Sequence, residues 1–188
     1  AYVSSGYVKN VLTGSGNSGG AGESGGNENK PDNSLGSGAI AVPTELAGAI
    51  EYNAHVRDLG WMDTKQNGQM MGTVGKNLPM EAITINIQGI AELGIEYQVH
   101  AQDIGWMKSV SNGDLGGTVG QAKKLEAIKL KLTGNAASNY DLYYRAHVTN
   151  IGWMDWAKNG ELAGTQGYNY ALQAVQIALL PKGTAAPG

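Results

Sequence analysis

Three segments of this chain carry the same chemistry-bearing residues in the same order: AHVRDLGWM at 54–62, VHAQDIGWM at 99–107 and AHVTNIGWM at 146–154. All 3 histidines and three of the 4 tryptophans lie in them. An imidazole can donate or accept a hydrogen bond, titrate near neutrality or ligate a metal. The preferred reading of His55, His100 and His147 is a partly buried imidazole that hydrogen-bonds a neighbouring loop. Three histidines can hold zinc, but they would have to meet on one axis and no fourth ligand is evident, so no metal site is expected. A catalytic base needs a nucleophile beside it, and no serine or cysteine recurs with these histidines.

The tryptophans Trp61, Trp106 and Trp153 admit two readings. As core anchors, each would remove on the order of 200 Å² from water, worth up to about 5 kcal/mol, with Gly60, Gly105 and Gly152 allowing a bend beside them. As platforms, their flat apolar faces suit the C–H face of a pyranose ring. The recurrence of the indole in every copy favours the core. Trp156 stands where the other copies have Thr64 and Ser109, so the architecture does not demand it, and it is the better candidate for contact with a ligand. Asp63 and Asp155 follow Trp-Met and could hydrogen-bond sugar hydroxyls beside an apolar platform. Glu81 and Glu126 would suit paired carboxylates of a glycoside hydrolase only if they stood close together. Equivalent positions in separate repeats place them apart, and structural capping or pairing is preferred. The recurring glycines do not open a helix with Lys-Ser/Thr, so a phosphate loop is discounted.

What must position these residues is itself repeated. The tryptophans are spaced by 45 and 47 residues. Asn-Gly follows each at 67–68, 112–113 and 159–160, and Gly-Thr follows at 72–73, 117–118 and 164–165. Alternating runs precede each histidine (IEYNAHV, IEYQVHA, LYYRAHV) and close each unit (EAITINI, EAIKLKL, QAVQIAL). Apolar residues at every second position predict β-strands. Asn-Gly predicts a type I′ hairpin between two short strands, as in GWMDTKQ–NG–QMMGT. Each unit then has about four strands, two long and two short. A helical turn between Gly75 and Met80 is an alternative for that stretch.

A unit of this size cannot close a core alone, and three can. The expected fold is all-β: repeats at 44–89, 90–134 and 135–183 form one pseudo-threefold domain. A β-trefoil-like arrangement is preferred to a β-prism-like one because the Asn-Gly hairpins could cap a barrel of the long strands. Residues 13–43 are rich in Gly, Ser and Asn and read as a flexible linker spanning roughly 30 Å. KGTAAPG at the C-terminus reads as frayed, with 184–188 as the tail.

The balance of the chain excludes several roles. The net charge of −3 gives no basic excess for nucleic acid. No apolar run is long enough to span a bilayer. There are no cysteines, hence no disulfide framework and no thiolate metal site. Phenylalanine is absent, so Tyr, Trp, Ile and Leu must fill the core. The chain begins AYVSSGYV without Met and reads as a fragment.

Two resemblances add to this. The opening AYVSSGYVKNV, through Tyr2, Val3, Ser4, Ser5, Tyr7 and Val8, resembles the last strand of a bacterial SH3-like domain, so residues 1–12 read as its remnant. The strand to His, the Gly-Trp, Asn-Gly and Gly-Thr-x-Gly elements and the Glu-Ala-Ile run resemble the clostridial hydrophobic repeat with a conserved tryptophan, the ChW repeat. The third copy departs by Gln173 in place of Glu. The resemblance implies a secreted or cell-wall-associated surface protein of a Gram-positive bacterium, with roles in adhesion and polysaccharide or protein binding. The expected function is therefore a non-catalytic, monomeric binding module without cofactor. Its partner would be a carbohydrate polymer, contacted by Trp156, Asp155, Asp63 and the three repeated tryptophans, or alternatively a surface protein.

Overall fold

A computed structural model describes residues 39–188. The SH3-like remnant and the linker up to residue 38 lie outside the described residues. The first repeat supplies β1 (Ile50–Val56), β2 (Gly60–Trp61), β3 (Lys65–Gln66), β4 (Met70–Gly72) and β5 (Met80–Ile87). The second supplies β6 (Gly94–Ala101), β7 (Gly105–Trp106), β8 (Val110–Ser111), β9 (Gly116–Gly117) and β10 (Leu125–Thr133). The third supplies β11 (Tyr140–Val148), β12 (Gly152–Trp153), β13 (Ala157–Lys158), β14 (Ala163–Gly164) and β15 (Leu172–Pro181). The expected two long strands are present, with three short ones rather than two. The stretch between Gly75 and Met80 is bent, not helical.

The strands form three antiparallel five-stranded sheets, one per repeat. In each, the two long strands pair along their length, and the first also carries the two short strands that follow it. The fifth strand comes from another repeat. Strand β4 joins β15, β9 joins β5 and β14 joins β10. Each repeat therefore completes a neighbour's sheet, and the exchange closes in a ring.

This exchange corrects the hairpin reading. Asn67-Gly68 is a turn, closed by the Gln69 N–H on the Gln66 carbonyl at 2.9 Å, but β3 and β4 enter different sheets. A type I′ turn needs positive φ at both central residues, and only Asn159-Gly160 has it, at 44° and 98°. In the other copies only Gly68 and Gly113 are positive, as in a type II turn. The third copy keeps the primed turn although β13 and β14 also enter different sheets, so the turn type does not decide the pairing.

The alternating runs divide as their periodicity predicts. Ile50, Tyr52, Ala54 and Val56 face inward, and Glu51, Asn53 and His55 face outward. One cluster of buried side chains draws on all three repeats. Its largest fully buried members are Tyr52, Tyr97 and Tyr144. Each phenol donates to the carbonyl just past its own Asn-Gly turn, at Gln69, Asp114 and Glu161. Each also meets a neighbouring repeat's long strand, at the backbone of Ile177, Ile85 and Leu130. Burial pushes all three phenols up, Tyr144 to about 12, so they stay protonated donors.

Both ends of the domain are tied down. Residues 39–43 belong to the expected linker, yet Ile40 and Val42 pack with Trp156 on a second cluster of Tyr143, Ala178 and Leu180. The Ile40 N–H also reaches the Gly68 carbonyl at 3.0 Å. The start of KGTAAPG is not frayed. Fully buried Asp141 accepts from Lys182 at 2.8 Å and the Gly183 N–H at 2.9 Å, and pairs with Lys158 at 3.0 Å. Burial would push its carboxyl up, but Lys182, Gly183, Asn159 and Lys158 outweigh that and hold it well below the usual carboxylate range.

Two predictions follow from these contacts. At Gly117 φ is +109° and a Cβ would stand 2.4 Å from the Glu81 carbonyl oxygen, whereas at Gly120 φ is +74° with open space around it. Gly117→Ala should cost about 3 kcal/mol in urea unfolding and Gly120→Ala about 1 kcal/mol; equal costs would contradict the close crossing. Because the Asp141 pKa is depressed in the fold, its stabilisation is full above the ordinary value of about 4 and is lost as pH falls below that. Asp141→Asn should therefore melt lower than wild type at pH 7, with the gap closing towards pH 2.

Candidate functional site

The repeated histidine and tryptophan meet on the outer face of each sheet. The strand register sets His55 opposite Trp61, His100 opposite Trp106 and His147 opposite Trp153. Residues directly opposite in an antiparallel pair point to the same face. The rings meet edge to face, with centroids 5.7, 5.4 and 5.5 Å apart. The glycine before each indole has φ of 75°, 83° and 92°. No heavy atom lies within 4 Å of a Cβ at Gly60 or Gly152, so the backbone angle, not crowding, demands glycine there.

The tryptophans are not core anchors. Trp61 is 45% exposed, and Trp106 and Trp153 are only partly buried. Strand alternation explains the reversal. The residue opposite an outward histidine must itself point outward, and the methionine after it (Met62, Met107, Met154) turns inward onto the core. An indole left about half in water forgoes roughly 2 kcal/mol of the burial available to it.

Behind each histidine lies a bulge. The ladder slips between His55 and Val56, and at the equivalent places in the other two repeats. The slip leaves Glu81, Glu126 and Gln173 out of register, buried at 4%, 5% and 5% exposure. Glu81 lies 3.2 Å from His55 Nδ1 and accepts from Arg57 at 2.9 Å; Glu126 lies 3.0 Å from His100 Nδ1. Both carboxyl–imidazole distances are short, although no Nδ1 makes an aligned hydrogen bond. The expected pairing of the glutamates is thus present. The histidine partner is a side chain on the adjacent long strand, not a loop. In the third copy, burial pushes the His147 pKa down, and the amide of Gln173 opposes that only in part.

Each bulge is also a junction between repeats. The bulge carbonyls of Gln173, Glu81 and Glu126 accept the N–H of Thr73, Thr118 and Thr165 at 2.8, 3.0 and 2.8 Å. The Gly-Thr pairs thereby seat the next repeat's loop beside the Trp–His pair. Trp106 Nε1 donates to Gln166 Oε1 of the third repeat at 3.2 Å.

The other candidates divide. Trp156 stacks on Arg145, whose guanidinium lies 4.7 Å from it and 4.8 Å from Trp153, so two indoles enclose one cation. Lys129 lies 4.3 Å over Trp106. The sequence signal for these cations is positional: Arg145 stands two residues before its histidine and Lys129 three residues after its bulge glutamate. Asp63 and Asp155 are exposed. The three histidines stand on three different sheets, and no set of three metal-ligating side chains gathers among the described residues.

A family model described as Clostridial hydrophobic W (ChW) matches residues 55–89, 100–134 and 147–181, more than half of the chain. The chain belongs to the ChW repeat family. Each match opens on the histidine and includes the tryptophan, the turn, the Gly-Thr and the bulge. Membership makes this a repeat-built, bacterial surface-type module and places it in no known catalytic family. No curated protein and no solved structure shows a significant match to the chain. No helix among the described residues is long and apolar enough to cross a membrane.

The ChW junctions differ in charge, and this can be measured. His147 should titrate below the ordinary value of about 6.5 in NMR, and any stability its neutral form contributes should be present above that value and lost as pH falls. Gln173→Glu, which restores the carboxylate of the other copies, should move the titration upwards. A wild-type His147 that titrates above 6.5 would contradict the burial argument.

Proposed function

We propose that this domain is a non-catalytic carbohydrate-binding module of a secreted or cell-surface bacterial protein. The observation that carries the reading is the outward placement of Trp61, Trp106 and Trp153, each braced edge-on by a histidine. An indole held rigidly and partly in water suits the apolar face of a sugar ring, and the neighbouring polar groups suit its hydroxyls. Asp63 and Asp155 lie exposed one residue beyond the Trp-Met pairs of their copies and can accept from such hydroxyls. Trp156 extends the platform of the third copy through Arg145. Several weak sites on one chain give avidity on a polymer.

A second reading has its own support. Leu59, Ile104 and Ile151, each two residues before its tryptophan, are 50%, 46% and 40% exposed. Aliphatic side chains beside an aromatic one also suit a protein partner, and the module would then serve adhesion.

Retention on insoluble cell-wall glycan and polysaccharide gels separates the two. Trp61→Ala, Trp106→Ala and Trp153→Ala should each weaken retention, and the triple variant should abolish it while remaining folded. Retention that survives the triple substitution would sink the glycan reading. Loss of capture of a surface protein in a Leu59→Ser, Ile104→Ser, Ile151→Ser variant, with no glycan bound by wild type, would establish the alternative.

A further inference from the structure

The three junctions share a backbone but differ in what crosses them. Two residues after the histidine stand Arg57, Gln102 and Thr149; two before the bulge stand Pro79, Lys124 and Ala171. Between repeats one and two, Arg57 pairs with Glu81 and donates to the Ala122 carbonyl of the facing loop at 2.9 Å. Between repeats two and three, Lys124 donates to the Asn169 carbonyl of the facing loop at 2.6 Å. A long cation therefore bridges each of these seams. Between repeats three and one both positions carry short side chains, Thr149 and Ala171. There an open, shallow cleft of about 510 Å³ remains.

Its walls are polar and uncharged in character. His147, Thr149 and Gln173 line one side, and Val74, Gly75 and Asn77 of the first repeat line the other. Asn150 completes the rim. No Asp, Glu, Lys or Arg lines the cleft. Gln173 donates to Asn77 Oδ1 at 3.1 Å, which leaves the Asn77 amide N–H groups as donors. The Thr149 hydroxyl donates to the Ala171 carbonyl at 3.3 Å and keeps lone pairs to accept with. Gly75 leaves its side of the cleft without a side chain, and Val74, 40% exposed, gives an apolar patch. Trp153 stands edge-on behind His147. Amides, a hydroxyl and an apolar patch around a shallow space match the alternating hydroxyl and C–H surfaces of an uncharged sugar.

We propose that the cleft between the third and first repeats is the domain's principal binding subsite and that it takes a neutral sugar residue of a glycan. This rests on the carbohydrate reading and sharpens it. The repeats are equivalent in fold but not in binding, and the bridged seams contribute only their indole platforms.

The test exchanges the seams. Thr149→Arg with Gln173→Glu installs the pair already formed by Arg57 and Glu81, and Arg57→Thr with Glu81→Gln opens the first seam. Each protein, as the full chain, is titrated by calorimetry with cellotetraose, an N-acetylglucosamine tetramer and a charged oligogalacturonate. Wild type should bind a neutral oligosaccharide at one site per chain and ignore the charged one. The T149R/Q173E variant should lose about tenfold or more in affinity, and the R57T/E81Q variant should gain a second site. Unchanged binding by folded T149R/Q173E, or three equal sites in wild type, would overturn the subsite while leaving the glycan reading standing. No binding of either neutral oligosaccharide by wild type would overturn both. If the exchange variants do not fold, NMR of wild type decides. Amide shifts at Gly75, Asn77 and Thr149 on adding the bound oligosaccharide support the subsite, and their absence overturns it.

Discussion

Three buried phenols hold this domain together. Each of Tyr52, Tyr97 and Tyr144 bonds at one hydroxyl both to its own repeat's turn and to a neighbour's strand. A buried hydroxyl that loses its partners costs about 1–3 kcal/mol, and the orphaned backbone groups add to that. The latch therefore fixes where each short strand goes. The turn carbonyl must reach the phenol, and that reach carries β4, β9 and β14 away from their own sheets to a neighbour's. Without the exchange each sheet would lack an edge, and each core face would be open on one side.

The outer face follows from the inner one. Once tyrosine points inward, strand alternation sends the histidine outward, and the register sends the tryptophan after it. The bulge then turns one extra residue under the imidazole, and its carbonyl holds the next repeat's threonine. A single local irregularity thus does two things: it braces the Trp–His pair and it fastens the seam. The bulge and the threonine bond that fastens the seam recur together in every copy.

Much of this could be read from the residues. The threefold repeat, the strands and their inward faces follow from spacing and alternation. The core reading of the tryptophans fails because recurrence marks architectural need, and burial is only one form that need takes. Register, which decides the face, depends on which strand lies opposite. The same limit hid the strand exchange. Asn-Gly marks a turn, but nothing in those two residues says whether the flanking strands pair with each other or with distant partners. The packing of the two ends is hidden for a related reason. Ile40 and Val42 look isolated in a polar stretch, and their meaning lies in Tyr143, Ala178 and Leu180.

Those last residues show where the symmetry breaks and why. The outward positions filled by Tyr143 and Ala178 are Glu51 and Asn86 in the first repeat and Glu96 and Lys131 in the second. The third sheet is apolar on its outer face because the segment entering the domain covers it, and Trp156 closes the cover from the side. The departing segment is fastened to Asp141 at the end of the same sheet. A ring built from one chain must have one seam where first and last repeats meet without a covalent link through a following repeat. That seam carries Thr149 and Ala171 at the bridging positions and Gln173 where the other seams carry a buried glutamate. The third repeat already gains packing from both ends of the domain, so its seam can lose a charged bridge without the ring opening. Freedom from that structural duty is what leaves a cleft there.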